Sequence, residues 1–295
     1  MDEETEKHII KHLVIAGGGT YGFQAYGALV ESRSKGIWKK EDLVSCYGTS
    51  VGTILLIMLL LPYEEEDITK YFIGRPWHQL FQYSLHSIFS SFQENGIFNK
   101  HTFQQILDPL LKGADLDPNI TLEEFHAFTN VEMHFFATKV NHYGAIDISY
   151  KTHPQWTLLD ATYASCCLPI LFRPLEYEDE FYIDGGVFVN YPLDYALKEC
   201  HPQEIMAINK EFEEPKPMHK ETTMFECIHI LFNNTARYVD TCPSTQIPYE
   251  ITITAPQVTI EDFFKFAESE TYRREWYELG RTIAKDVMET WKKEE

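Results

Sequence analysis

Apolar residues along the chain fall into short unbroken runs bounded by glycine and longer stretches with apolar positions three and four apart. The first pattern marks buried strands and the second amphipathic helices. Ile9–Ala16 (IIKHLVIA) predicts a strand that enters the glycine-rich turn Gly17-Gly18-Gly19-Thr20-Tyr21-Gly22. Phe23–Lys35 carries helical spacing and Gly36 is placed to cap it. Leu43–Tyr47 predicts a second strand, and Val51–Leu61 a strongly apolar helix. A β-α-β-α opening of this kind predicts a mostly parallel sheet covered by helices.

Further on, helices are expected at Glu64–Gly74, at Lys100–Leu111 behind the N-cap Asn99, and at Thr121–Phe128, where Thr121 and Glu124 have capping-box spacing. Glu132–Lys139 and Ala145–Tyr150 read as two strands around the turn Asn141–Gly144. Thr157–Cys167 reads as a helix rich in small residues, and Phe181–Ile183 as a short strand ending in Asp184-Gly185-Gly186. A short helix at Tyr195–Cys200, a strand at Glu204–Asn209 and a polar loop at Glu211–Lys220 follow. Thr223–Val239 predicts a long helix, Glu250–Thr254 a strand, and Ile260–Trp291 one or two amphipathic helices. Arg75–Phe98 is aromatic and poor in charge, a pattern that suits either packing on the sheet or a lid. No internal repeat or linker divides the 295 residues, so one domain is expected, with a core at about 11–209 and a helical extension at about 220–295 packed on it.

The charge narrows the partners. Lys plus Arg is 25 and Asp plus Glu is 45, a formal net charge of −20. Nucleic-acid binding rests on phosphate neutralisation and is excluded as a reading, as is electrostatic docking on anionic headgroups. Any membrane contact would be peripheral, through apolar insertion or a local basic patch. The apolar run Ile54–Leu61 is far shorter than the about 20 residues of a membrane span. The six cysteines show neither zinc-site spacing nor a disulfide framework, and the acidic start MDEETEKH is no secretory leader, so a cytoplasmic protein with free thiols is expected. Neither a metal nor a cofactor is called for.

Two turns carry candidate chemistry. Gly48-Thr49-Ser50-Val51-Gly52 is G-x-S-x-G between an apolar strand and an apolar helix. A serine on such a turn is held in a strained backbone conformation that projects its hydroxyl beside a helix N-terminus, and small neighbours prevent collision. Gly17-x-Gly19-x-x-Gly22 matches a dinucleotide fingerprint, but the second strand ends in Tyr47-Gly48-Thr49-Ser50 without the acidic residue that would hold a ribose. The other use of that turn is an oxyanion hole of backbone amides. Asp184 stands at the end of a later strand, the end where functional groups gather in parallel sheets. An α/β-hydrolase triad would need a histidine after Asp184, and His201, His219 and His229 are available, none in a loop after an evident final strand.

Taken together, the Gly17–Gly22 turn, Gly48–Gly52, the segment Ala164–Phe172 and Tyr182–Val187 with Asn190 and Pro192 resemble the patatin-like phospholipase family. The similarity runs from about Lys11 to Asn209, with a weaker echo in Glu250–Gly280. The resemblance implies a three-layer α/β/α sandwich and a lipid acyl hydrolase of the phospholipase A type. It implies a Ser50–Asp184 dyad, with an oxyanion hole at Gly17, Gly18 and Gly19, and Gly22, Gly48, Gly52, Gly185 and Gly186 supporting the motifs. The substrate would be a phospholipid or another lipid ester, hydrolysed without a metal. One position departs from the family pattern: Tyr21 stands where a basic residue is usual, which leaves a catalytically weak lipid-binding module as the alternative.

Overall fold

The structure, a computed structural model, describes residues 9–82, 93–213, 218–239, 245–256 and 260–294. Ten strands are present among them: β1 (His12–Ile15), β2 (Ser45–Thr49), β3 (Gly96–Phe98), β4 (Glu132–Lys139), β5 (Gly144–Ile148), β6 (Ile170–Phe172), β7 (Leu175–Tyr177), β8 (Glu180–Asp184), β9 (Ile205–Phe212) and β10 (Tyr249–Ala255). Eight form one sheet in the order β10-β9-β1-β2-β4-β8-β7, with β5 on β4 outside that path. The first five of that order run parallel; β8, β7 and β5 pair antiparallel. β3 and β6 form a small parallel pair of their own. The central strands β1 and β2 are buried at every position, as expected for strands covered on both faces.

Side chains alternate across the sheet into two cores. Leu13 and Ile15 point into the larger one, and Val14 and Ala16 into the smaller, which Val189, Tyr191, Leu193 and Ile247 complete. The larger core is filled by α1 (Gly22–Ser34), α2 (Val51–Leu60) and α6 (Leu158–Cys166), almost entirely buried. A helix apolar on all sides, such as α2, is stable only when surrounded in this way. The predicted caps are formed: Asn99 accepts the His101 amide at 3.0 Å ahead of α4 (Lys100–Gly113), and Thr121 and Glu124 close a capping box on α5 (Leu122–Thr129).

The C-terminal part does more than pack on a finished core. β10 extends the main sheet beside β9, and the tail forms two helices, α9 (Ile260–Glu268) and α10 (Glu270–Glu294). Arg273 on α10 is 1% exposed and its guanidinium donates to the carbonyls of Ile73 (2.7 Å), Phe266 (2.6 Å), Ala267 (3.1 Å) and Arg75 (2.9 Å). It thereby ties the end of α3 (Glu65–Gly74) to α9, satisfying donors whose burial would otherwise be costly.

Three short strands were not anticipated. β3, β6 and β7 have three residues each, too few for a period to register, and exist because long-range partners supply their hydrogen bonds. Of the aromatic stretch Arg75–Phe98, Trp77, Phe81 and Phe98 pack as rings, Phe81 against Phe98 (5.5 Å) and Phe263 (4.9 Å). Tyr83, Phe89 and Phe92 lie outside the described residues, as do 214–217 of the expected polar loop. Glu211 and Phe212 at its start belong to β9 instead, held by pairing with β10.

Candidate active site

Ser50 sits between β2 and α2 with φ 51° and ψ −126°, a conformation an L residue adopts only under constraint. The constraints are visible. Its amide donates to Ser165 Oγ on α6 at 3.0 Å, and its carbonyl accepts the Thr53 hydroxyl at 2.7 Å. Thr49, one residue earlier, donates to the Val189 carbonyl at 2.7 Å. The flanking glycines allow close packing: a Cβ at Gly52 would lie 2.5 Å from the Ile15 carbonyl oxygen, and one at Gly48 2.9 Å from the Thr53 nitrogen. Gly22 faces Val51 in the same way, at 2.3 Å.

Asp184 ends β8, 3% exposed. Its amide donates to the Cys167 carbonyl at 3.1 Å and its carbonyl accepts the Thr138 hydroxyl at 3.0 Å, which fixes the backbone. Gly185 is pressed onto β4, where a Cβ would come within 2.2 Å of the Phe136 carbonyl oxygen. Burial pushes the Asp184 carboxyl up to about 6. Two contacts oppose burial: first the Ser50 hydroxyl, then a 2.8 Å hydrogen bond from the Gly186 amide. The alcohol of one strand end and the acid of another therefore meet in one cavity, lined by Ser50, Asp184, Gly18 and Gly19.

The glycine turn is less uniform than its sequence. Gly18 (φ 155°) and Gly19 (φ 58°) adopt conformations that favour glycine and line the cavity. The Gly17 amide donates to the Asn190 carbonyl at 2.9 Å and is therefore committed inside the fold. This takes the Gly17 amide out of the expected three-residue oxyanion hole and leaves Gly18 and Gly19 as the glycines of that turn that line the cavity. Tyr21 is fully buried beneath the turn, its hydroxyl without a partner among the described residues.

The cavity itself, about 200 Å³, was not legible in the sequence. Its wall takes rings from elements far apart in the chain, among them Phe23, Phe72, Trp77, Phe103, Phe172 and Phe266. A space of that size, mostly ring-lined with a few polar groups at one end, suits an apolar guest. Cys166 also lines it, its thiol pushed far up first by burial and then by Asp184, so it is held neutral. No histidine is among the described lining residues. His201 is exposed and accepts the Gln203 amide, His219 is exposed, and the His229 side chain lies outside the described positions. Among the described residues no cluster of His, Cys, Asp and Glu could hold a metal ion.

Sequence reading missed two residues here. Ser165, in a helix of small and apolar residues with Asp160 and Thr162, carries no signal of its bond to Ser50, and Lys210, near the end of β9, reaches the cavity only through the fold.

A mostly parallel sheet flanked by helices, with an elbow serine at the carboxyl end of one strand and an acid at the end of another, defines the class of mixed α/β fold. The chain belongs to the patatin-like phospholipase family, whose model it matches over residues 13–197, more than half its length. It is 29% identical over 192 residues to the probable lipid hydrolase 463L of Invertebrate iridescent virus 6. It is 28% identical over 199 residues to the uncharacterized protein R571 of Acanthamoeba polyphaga mimivirus. Those matches cover 64% and 65% of this chain and 63% and 65% of the two relatives, so less than two thirds of the relatives' length is spanned. The crystal structure of VipD from Legionella pneumophila shares the fold, with a TM-score of 0.54 at 14% identity over 95% of this chain and 67% of that one.

Proposed function

We propose that the protein is a lipid acyl hydrolase that cleaves a carboxylic ester through Ser50 and Asp184. The observation that carries this reading is the convergence of a strained serine and a buried carboxylate, raised to about 6, on one ring-lined cavity beside two glycine amides. Serine is a poor nucleophile until a base takes its proton. A carboxylate near 6 is a stronger proton acceptor than an ordinary aspartate and is still ionised at neutral pH.

In the proposed sequence, the acyl chain lies among the rings and the ester carbonyl meets Ser50. Ser50 Oγ attacks the carbonyl carbon as its proton passes to Asp184. The Gly18 and Gly19 amides receive the oxyanion; one such donor is typically worth about 3 kcal/mol. The C–O bond then breaks and the leaving alkoxide takes the proton from Asp184. Water attacks the acyl-serine, gives its proton to Asp184, and the fatty acid departs as Ser50 is restored. No imidazole is needed, and the absence of histidine among the described lining residues supports a dyad over a triad. The reading treats the 295 residues as one folded unit, because β10 completes the sheet and Arg273 binds the cavity wall together.

The substrate is a phospholipid or related ester drawn from a lipid surface, and contact with that surface is peripheral. Among the described residues no helix is long and apolar enough to cross a membrane.

Fluorophosphonate labelling tests the reading directly. Wild type should label at Ser50 and release fatty acid from lipid esters, with both lost in Ser50→Ala. Lipid binding that survives while wild type and Ser50→Ala share the same negligible turnover would instead identify a non-catalytic binding module.

A further inference from the structure

We propose that Lys210 and Thr20 form an anion subsite beside the Gly18–Gly19 turn, selecting lipid esters that carry a phosphate over uncharged ones; this rests on the hydrolase reading above. Strand β9 runs parallel to β1, with Ile208 opposite Ile15. Lys210, two residues further on, lies where β1 has given way to the glycine turn. Its side chain is packed against that turn: a Cβ at Gly18 would lie 2.7 Å from Lys210 Cδ.

Lys210 is the one cation among the described lining residues of a cavity walled by rings, and it is only 6% exposed. Burying an ammonium is expensive. Part of that cost is offset by aromatic faces, with Nζ 4.3 Å from the Phe212 ring centroid and 5.9 Å from that of Tyr21. The stem thus runs along the turn that would hold the reacting carbonyl.

Thr20 supplies an independent observation. It lines the same cavity, is 6% exposed, and its Oγ1 has no hydrogen-bond partner among the described residues. A buried hydroxyl left unpaired is unfavourable and is a donor without an acceptor. An ammonium and a hydroxyl flanking one turn match the oxygens of a phosphate, whereas an uncharged glyceride offers them no negative group. The chain as a whole carries −20 and repels anions, so an anionic lipid needs a local cation of this kind at the site.

The test compares kcat/KM for a phospholipid and a diacylglycerol with the same acyl chains. Lys210→Met should lower the phospholipid-to-diacylglycerol ratio about tenfold to a hundredfold, mainly through KM, as for loss of a charged hydrogen bond. Thr20→Val should move the ratio the same way by less, and Lys210→Arg should restore it. An unchanged ratio, or equal losses on both substrates, would overturn the proposal, because a structural or oxyanion role does not discriminate between headgroups. Binding of an ether-linked phospholipid, which cannot be hydrolysed, keeps the test open if catalysis itself fails. In that case Ser50 would resist labelling, yet the ether lipid should still bind wild type about tenfold or more tighter than Lys210→Met. Free inorganic phosphate that competes strongly, with no discrimination between the two lipids, would assign the subsite to phosphate rather than a lipid headgroup and also overturn it.

Discussion

Ser165 Oγ accepts the Ser50 amide proton at 3.0 Å and donates its own to the Phe136 carbonyl at 2.7 Å. One hydroxyl thus couples the strained elbow to β4 through the helix that runs between them. Thr49 makes a second tie, to the Val189 carbonyl beyond the Asp184-Gly185-Gly186 turn. The elbow is over-determined by its neighbours, which is the condition for strain to persist at a reacting residue.

Ser165→Ala would leave the Ser50 amide and the Phe136 carbonyl unpaired in the interior, at about 1–3 kcal/mol for such a group. The expected result is a lower Tm and a kcat about tenfold to a hundredfold below wild type, with KM little changed, since the residue touches the elbow rather than the ring-lined cavity. Steady-state kinetics on one lipid ester and a thermal melt check this. A change confined to KM would contradict the positioning role.

Asp184 links activity to stability with opposite signs. Its carboxyl titrates near 6 in the folded protein and an unfolded aspartate near 3.9. Between those values the native state retains a proton that the unfolded chain has released, so stability falls as pH rises through the window, by on the order of 3 kcal/mol in all. In the proposed mechanism Asp184 must be ionised to take the Ser50 proton, so kcat/KM should climb through an apparent pKa near 6. Asp184→Asn should therefore lose about a thousandfold or more of the activity while melting higher than wild type at pH 8. The two melting curves should converge below about pH 4. A variant that melts lower at every pH would show that the ionised carboxylate stabilises the fold.

Tyr21 is the departure from the family pattern, and its hydroxyl is a buried orphan. Tyr21→Phe removes that group and keeps the ring, so a stability gain of up to about 1–3 kcal/mol is expected. Activity should stay near wild type, because Tyr21 lies beneath the turn. Urea unfolding gives the sign, and a loss of stability would mean that the hydroxyl is satisfied in solution.

The C-terminal helix depends on backbone contact with α1. A Cβ at Gly280 would lie 1.9 Å from the Gln24 carbonyl oxygen, and one at Gly27 2.1 Å from that of Tyr277. Gly280→Ala should force the helices apart and cost about 1–3 kcal/mol, with Gly27→Ala comparable. Because these positions couple, the double variant should fall short of the sum of the two singles. Denaturant midpoints of all three measure it.

Much of the fold was written locally. The unbroken apolar runs, the caps at Asn99 and Thr121, and the glycines around Ser50 each act within a few residues, so a one-dimensional reading reaches them. Ser50 stands out by its flanking glycines, whereas Asp184 sits in a common Asp-Gly turn and gains weight only in combination with the other motifs. The resemblance implied an oxyanion hole at Gly17, Gly18 and Gly19, and the fold sets Gly17 apart because the carbonyl of Asn190, far along the chain, takes its amide. The three-residue strands β3, β6 and β7 likewise have no local period to detect.

What the sequence determined by itself was the order of elements, the parallel character of the sheet and the two turns that bear chemistry, because backbone preference and burial period are local properties. Only the tertiary structure decided that rings from distant elements line one cavity, that Lys210 lies against Gly18, and that Asp184 is buried enough to be pushed up to about 6. Desolvation and cavity shape are sums over neighbours distant in the chain, and no single stretch of residues encodes them.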